Sequence, residues 1–450
     1  MSFKGVHQSV LDTRVTPAAT TARAARRAMI SAWVGWMFDG YENYAFVLVM
    51  PIAMRQLVPP DQIDRVALYS GAVLAATLVG WATGGVIFGI VSDYLGRKRV
   101  LMLAILWYSV FSGLTYFAPS YQVLMLCRFL TGLGLGAEWG AGTAIVAELW
   151  PSTHRGRAAG ILQSAFGAGF FVASVAWFFV GQSGPESWRY MFVIGALPAL
   201  MLLYIQREVE ESPMWLEVRD RRRRAKTHPA NSAMASTEDK KVVQFTLTYV
   251  MLDPQLRRRI ALLLLMSLST VVGWWSISTW IPLYAGQLAA AVGQEAQRTA
   301  SLTGVTYNIG TVAGYIVFGA LADQWGRKPT IQLYYVGAFI MTIGLFLFVK
   351  SPSVMLLVAG INGFFTLGQF SWMSVYLPEL FPTAVRGTAI SLVFNASRFV
   401  AALGPLFAGY LIATTGSIPT TAVAMSFIYV VGMLAARIAG SETRGQPLPA

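Results

Sequence analysis

The sequence predicts an all-α integral membrane protein: 12 transmembrane helices as two six-helix bundles, both termini cytoplasmic. Three observations predict it. Of the 450 residues, 55% are hydrophobic and only 12% charged, with a mean hydropathy of +0.55. A soluble domain carries about 25% charge, so an ordinary soluble enzyme is excluded. The apolar residues fall into twelve stretches, each near the roughly 20 residues a helix needs to cross a bilayer. Two motifs also recur at almost one spacing, which marks a duplication.

The twelve spans run at 28–54, 68–92, 100–119, 121–148, 157–181, 188–206, 259–288, 300–322, 330–349, 353–380, 387–413 and 417–439, bounded by charged or Pro/Gly-rich turns. They give a cytoplasmic N-terminal tail (1–27), a six-helix bundle (28–206), a cytoplasmic linker (207–258), a second bundle (259–439) and a cytoplasmic C-terminal tail (440–450). The N-terminal stretch has no short apolar core with a small-residue cleavage site, so no secretory signal is expected. Of the 34 Lys and Arg, 27 fall on the side that holds both tails and the linker. By the positive-inside rule that side is the cytoplasm. The net charge of +13 is then topology plus attraction to anionic lipid, and no nucleic-acid partner is expected. The linker run Asp220-Arg221-Arg222-Arg223-Arg224 and the bland Ser232 to Ser236 segment read as a flexible, partly disordered connection.

The repeats define the halves. Gly89-Ile-Val-Ser-Asp93-Tyr-Leu-Gly96-Arg97-Lys98-Arg99 returns as Gly319-Ala-Leu-Ala-Asp323-Gln-Trp-Gly326-Arg327-Lys328-Pro329, and Glu148-Leu-Trp-Pro151-Ser-Thr-His-Arg155-Gly156 returns as Glu379-Leu-Phe-Pro382-Thr-Ala-Val-Arg386-Gly387. Parallel repeats of this kind build secondary transporters in which two bundles rock about a midplane site.

At these residues the chain resembles the major facilitator superfamily. The family's loop signature G-x-x-x-D-x-x-G-R-K-R is met at Gly89, Asp93, Gly96, Arg97, Lys98 and Arg99. Arg128-Phe-Leu-Thr-Gly-Leu-Gly-Leu-Gly-Ala-Glu138-Trp, followed by Glu148, Pro151 and Trp188-Arg189, resembles the metabolite:proton symporter branches. Glu211-Ser-Pro-Met-Trp-Leu216 and Glu442-Thr-Arg-Gly445 are similar to sugar-porter loops. Span 7, Val272-Gly-Trp-Trp-Ser-Ile-Ser278, lacks the paired glutamines that contact hexoses in sugar porters. Asp39-Gly-Tyr-Glu42 is close to the D-G-x-D of aromatic-acid:proton symporters, and Arg398 stands where that family has an intramembrane arginine. Sialate and monocarboxylate symporters are near alternatives. Span 5 lacks the Gly-Pro signature of drug:proton antiporters. The resemblance implies a multi-pass cell-membrane transporter, monomeric, that takes up a small organic anion such as an aromatic acid or monocarboxylate together with protons. A sugar or polyol:proton symporter is the alternative within transport.

The ionisable residues inside spans carry this reading, because each costs about 2.5–3.5 kcal/mol or more to insert. Asp39 and Glu42, three apart, are read as sharing a helix face toward the central cavity. Asp39 lies roughly 16 Å and Glu138 roughly 15 Å above the cytoplasmic ends of their helices, by the rise per residue. With no histidine in a span, Asp39, Glu42 and Glu138 are the proton-coupling candidates. The competing reading of Asp39 and Glu42 is a static ion pair with Arg128, itself either a substrate contact and gate or structural glue. Glu138 aligns with Gln369 across the repeat, and Arg398 with Gly167. An arginine that breaks the symmetry near the midplane and offers a bidentate fork is the candidate for a substrate carboxylate. Gln369, Asn308, Asn362, Asn395 and Tyr307 are possible polar liners or interhelical hydrogen-bond partners. Trp274, Trp275 and Trp372 are aromatic candidates for the pocket, against the plain role of interface anchors.

Asp93 with Arg97, Glu148 with Arg155, Asp323 with Arg327, and Glu379 with Arg386 read as a cytoplasmic charge network that gates the bundles. Gly132, Gly134 and Gly136 read as close backbone packing. One cysteine, Cys127, excludes an intrachain disulfide, and His7, His154 and His228 show no metal-ligand spacing. No cofactor or metal is expected. Without a Ser/His/Asp set, paired-His motif or phosphate loop, no catalytic role is expected. A membrane sensor on a transporter fold would normally append a sizeable soluble domain, and the tails are short.

Overall fold

The computed structural model describes residues 22–227, 243–401 and 403–449. Among these every regular element is helical. The first half holds α1 (Ala22–Leu57), α2 (Val66–Leu95), α3 (Arg97–Thr115), α4 (Tyr121–Leu149), α5 (Arg155–Val180), α6 (Trp188–Gly195) and α7 (Met201–Glu208). Two elements follow outside the bundle, α8 (Pro213–Thr227) and α9 (Thr246–Leu252). The second half holds α10 (Pro254–Ile277), α11 (Ile281–Ala291), α12 (Ala296–Trp325), α13 (Arg327–Phe348), α14 (Pro352–Thr366), α15 (Ser371–Leu380), α16 (Arg386–Ala401), α17 (Gly404–Thr415), α18 (Ile418–Ser426) and α19 (Ile428–Ile438).

Among the described residues eight helical stretches are long and apolar enough to cross a membrane, including Leu68–Leu95, Ser152–Val180 and Pro254–Ala291. The last joins α10 and α11 through a single 3-10 turn at Ser278–Trp280. Helices α1 and α4, which carry the buried Asp39, Glu42, Arg128, Glu138 and Glu148, fall outside those eight, as do α3 with Arg97 and the short α16 with Arg386 and Arg398. Charge inside a helix lowers its mean hydropathy, so composition understates α1 and α4, which hold the intramembrane carboxylates.

Within the first half α2 packs on α4, α1 on α5 and α3 on α4; in the second α12 packs on α14 and α10 on α19. The halves meet through α5 on α12 and α2 on α16. Small residues permit the close approach of α2 and α4: a Cβ on Gly136 would lie 2.0 Å from the Trp81 carbonyl oxygen, and one on Gly132 2.4 Å from that of Thr77. Gly134 faces Tyr108 of α3 instead. The three glycines thus cover two neighbours, as residues on different sides of a helix must.

The linker differs from the flexible segment that its composition suggests. Residues Pro213–Thr227, including the run Arg221 to Arg224, form a helix. It is held by burial of Trp215 and Arg222: the Trp215 indole and the Arg222 guanidinium both donate to the Asp93 carbonyl. The Ser232 to Ser236 segment lies outside the described residues.

Candidate functional site

A small cavity of about 30 Å³ lies between the halves, room for a few water molecules. Its walls are ring systems: Trp36, Trp81 and Phe166 from the first half, Trp274, Trp275, Phe370 and Phe394 from the second. Trp36 stacks on Phe166 with centroids 4.7 Å apart. The polar liners are Asn43, Gln163, Tyr315 and Arg398. Trp139 of α4 lies face to face with Phe394 of α16, 3.5 Å between centroids, so the two halves also meet here through stacked rings.

Arg398 is the cation of this cavity. Its guanidinium carbon lies 3.9 Å from the Phe394 ring centroid and 4.8 Å from that of Trp81, contacts that favour a cation over a ring face. Its Nη1 donates to the Phe394 carbonyl at 2.7 Å and to Asn395 Oδ1 at 3.3 Å. Among the described residues it forms no ion pair, although Asp39 is its electrostatic neighbour. Asn395 lies outside the cavity and orients the arginine; its own Nδ2 donates to the Ser391 carbonyl.

Two carboxylates sit behind the aromatic wall. Asp39 and Glu138 are 0% and 1% exposed, and none of their four oxygens has a hydrogen-bond partner among the described residues. Glu138 and Glu42 are the like charges nearest in effect to Asp39, and Arg398 the opposite one. Gly35, one turn before Asp39, makes room for Glu138: a Cβ there would lie 1.6 Å from its Oε1. Glu42 is placed differently. Its Oε2 accepts from Arg128 Nη1 at 2.6 Å and its Oε1 from the Ser112 hydroxyl. The Arg128 guanidinium lies over Phe46 and Phe192, 5.1 and 5.4 Å from their centroids. A Cβ on Gly195 would strike Glu42, so that carboxylate too is seated against a glycine.

Glu42 and Arg128 therefore do not line the cavity: Glu42 forms the ion pair with Arg128 of the competing reading instead of sharing a cavity-facing row with Asp39. The helix turns about 100° per residue, and the cavity-facing positions of α1 are Trp36 and Asn43. Asp39 stands roughly 50° from their mean direction and Glu42 roughly 110°, by that rotation. Three residues apart places two side chains on neighbouring rows, and only the first borders the cavity wall.

The other polar candidates scatter. Trp274 and Trp275 line the cavity. Trp372 does not; its indole donates to Thr270 Oγ1 inside the second bundle. The Tyr307 hydroxyl shares a hydrogen bond with Thr366 at 2.8 Å, Asn362 donates to Thr342, and Gln369 Nε2 donates to the Thr366 carbonyl. Asn308 is half-buried and lies outside the cavity lining. Asn43, Gln163, Trp36 and Trp81 were not singled out from sequence. The seven-residue step from Trp36 to Asn43 was the one available signal.

The charge network at the tail-bearing face holds a correction. Glu148 does not pair with Arg155, nor Glu379 with Arg386. Glu148 Oε1 accepts from Arg386 Nη1 at 2.7 Å and Arg97 Nη2 at 3.3 Å; Glu379 accepts from Arg155 Nη1 at 3.2 Å and Arg327 Nη2 at 2.7 Å. The partners are exchanged between halves. The expected pairs Asp93–Arg97 and Asp323–Arg327 are present at 2.9 and 3.0 Å. Asp93 also accepts from the backbone N–H of Gly387 and Thr388, and Asp323 from those of Gly156 and Arg157. Each aspartate thus caps the first turn of a helix in the opposite half, where unpaired N–H groups favour an anion.

Comparison with known proteins agrees with this architecture. The family model described as "Sugar (and other) transporter" matches residues 24–449. The chain is 30% identical over 379 residues to a probable 4-methylmuconolactone transporter of Cupriavidus pinatubonensis, covering 84% of this chain and 81% of that one. It is 30% identical over 409 residues to the cis,cis-muconate transport protein of Acinetobacter baylyi, covering 90% and 91%. Among solved structures, a proton:xylose symporter of the major facilitator superfamily bound to 6-bromo-6-deoxy-D-glucose superposes with a TM-score of 0.75 at 20% identity, over 94% of this chain and 98% of that one. That likeness concerns the fold. The chain belongs to the sugar (and other) transporter family of the major facilitator superfamily, and is a multi-pass transporter of the cell membrane rather than an enzyme.

Proposed function

We propose that the protein is a proton-coupled symporter that takes up a small organic anion by alternating access, with twelve spanning helices, both termini in the cytoplasm and the monomer as the working unit. One observation carries the reading: a guanidinium that has no ion-pair partner among the described residues, Arg398, faces an aromatic cavity between the two bundles. A neutral sugar offers such a cation hydroxyl acceptors but no counter-charge. A carboxylate supplies that charge, through a planar fork that matches two N–H donors to two oxygens. The flat walls of Trp36, Phe166, Trp274 and Phe370 suit an unsaturated or aromatic acid.

Asp39 and Glu138 hold and release the proton in this reading, because they are the buried carboxylates that no arginine neutralises by contact. Glu42 takes the static role, as the counter-ion of Arg128. Carrying a proton with each anion offsets the substrate charge, and each net positive charge moved inward gains about 2.3 kcal/mol per 100 mV. The polar contacts described between the halves lie toward the tail-bearing face, which in this reading is the cytoplasmic side and is closed. The crossed ion pairs are its gate. With room for a few waters only, the cavity must widen to admit substrate.

The test is uptake by proteoliposomes of cis,cis-muconate, 4-methylmuconolactone, nicotinate and xylose, with and without an inward proton gradient. Gradient-driven accumulation of an anion supports the reading. Saturable uptake of xylose with no anion transported overturns it in favour of a sugar or polyol:proton symporter.

A further inference from the structure

The chain beyond α19 does more than leave the bundle, and this inference rests on the reading that the bundles rock. Residues 440–443 are fixed to the second bundle. Lys328 Nζ donates to the Gly440 carbonyl and the Tyr376 hydroxyl to that of Ser441, at 2.7 and 2.8 Å. Glu442 accepts from the backbone N–H of Arg327 and Lys328, and the Thr443 hydroxyl donates to Glu379. The chain then reverses. Gly445 has φ +69°, a left-handed conformation that glycine adopts without strain, and Gln446 N donates back to the Thr443 carbonyl at 3.0 Å.

That turn aims the following residues across the mouth of the molecule. The Gln446 carbonyl accepts from Arg155 Nη1 of the first bundle at 3.3 Å. The Pro449 carbonyl accepts from Arg386 Nη2 at 2.7 Å and Thr383 Oγ1 at 3.2 Å. Arg155 and Arg386 are the arginines whose ion pairs, with Glu379 and Glu148, cross between the bundles. The segment therefore takes a hydrogen bond from each arginine of the crossed pairs: from Arg155 Nη1, which it shares with Glu379, and from Arg386 Nη2. It does so with backbone carbonyls, while the Gln446 and Pro447 side chains stay exposed, an arrangement that holds the segment in place and still lets it peel away.

We propose that residues 443–449 form a strap over the cytoplasmic mouth, anchored on the second bundle and fastened to Arg155 of the first, which weights the molecule toward the state closed on that face and must release for the inward-facing state to form.

The strap is tested in the full transporter carrying Cys127→Ser and one reporter cysteine, by rates of reaction with a membrane-impermeant maleimide. Ser374→Cys reports the cytoplasmic seam, since Ser374 is 1% exposed and its hydroxyl faces the Ala159 carbonyl of the first bundle. Asn43→Cys reports the cavity wall. The strap is removed by deleting residues 446–450 or misdirected by Gly445→Val, which keeps the length and strains the turn. Losing the bond to Arg155 and loosening its neighbours should raise Ser374→Cys labelling roughly threefold or more, and lower Asn43→Cys labelling from the outer side, in both variants. Unchanged labelling at both reporters overturns the strap. A rise at both also overturns it, because general loosening, unlike a two-state shift, exposes both faces.

Discussion

At the scale of single residues, the site separates charges that are paired from charges that are free to act. Arg398 touches rings, the Phe394 carbonyl and the Asn395 amide oxygen but, among the described residues, no carboxylate, and it is the group proposed to capture the anion. Arg398→Ala should weaken binding of a transported anion by about 1.5–3 kcal/mol, at least tenfold, as loss of one charge-assisted contact. Arg398→Lys should also weaken it, since the ammonium keeps charge without the fork. Isothermal titration with the anion identified by uptake measures both, and an unchanged affinity in Arg398→Ala contradicts the assignment. The two acidic residues of α1 should diverge. Asp39→Asn should abolish gradient-driven accumulation and leave substrate exchange, because a neutral amide mimics the protonated carboxyl. Glu42→Gln should instead lower stability by about 3–5 kcal/mol, the usual cost of stranding a buried partner, here Arg128. Proton-driven uptake in Asp39→Asn equal to that of the parent would remove that residue from coupling.

At the scale of elements, the repeats place a carboxylate from a following segment on the first turn of an equivalent helix in each half. Glu211 accepts from the backbone N–H of Arg97 and Lys98 at the start of α3, and Glu442 from those of Arg327 and Lys328 at the start of α13. Gly96 and Gly326, at φ +100° and +110°, make the turns that present these N–H groups. The two caps are electrostatically unequal. Burial pushes the Glu211 carboxyl above its ordinary value despite its backbone donors. Burial acts the same way on Glu442, but the backbone N–H groups of Arg327, Lys328, Arg444 and Thr443 prevail and hold it below that value. A lowered pKa means stability present above the unfolded value, about 4.3, and lost as pH falls through the folded one. A raised pKa means stability present at low pH and lost as pH rises through the folded value. Thermal unfolding between pH 6 and pH 4 should therefore show a smaller acid loss in Glu442→Gln than in the parent and a larger one in Glu211→Gln. The reverse order would contradict these environments.

At the scale of the whole molecule, the two halves are locked together at one face by exchange of partners. Glu148 binds one arginine of each half, and so does Glu379. Asp93→Asn should shift the population toward the inward-open state and raise labelling of a cysteine at the cytoplasmic seam, with substrate affinity changed only through that shift. Glu148→Gln should shift it further, because it weakens two ion pairs at once, one of them between the halves. A large loss of affinity with unaltered labelling would show that these residues serve binding instead of gating.

The sequence by itself determined the helical membrane class, the family, the repeated motifs and the charged residues that meet at the tail-bearing face. Those properties are written in composition and in local motifs, which survive any arrangement of the helices. It also pointed to Arg398, whose intramembrane charge needs a reason wherever the helix packs. Only the tertiary structure decided which way each face of α1 turns, because a rotation of about 50° separates the Asp39 row from the cavity and a further 60° carries Glu42 to Arg128. Only it decided that Glu148 meets Arg386 rather than Arg155, a choice between residues more than two hundred positions apart that no local pattern encodes. The cavity lining was hidden for the same reason. Trp36, Trp81, Gln163 and Phe394 come from four helices, and their apolar or neutral side chains look like core until the two halves are brought face to face.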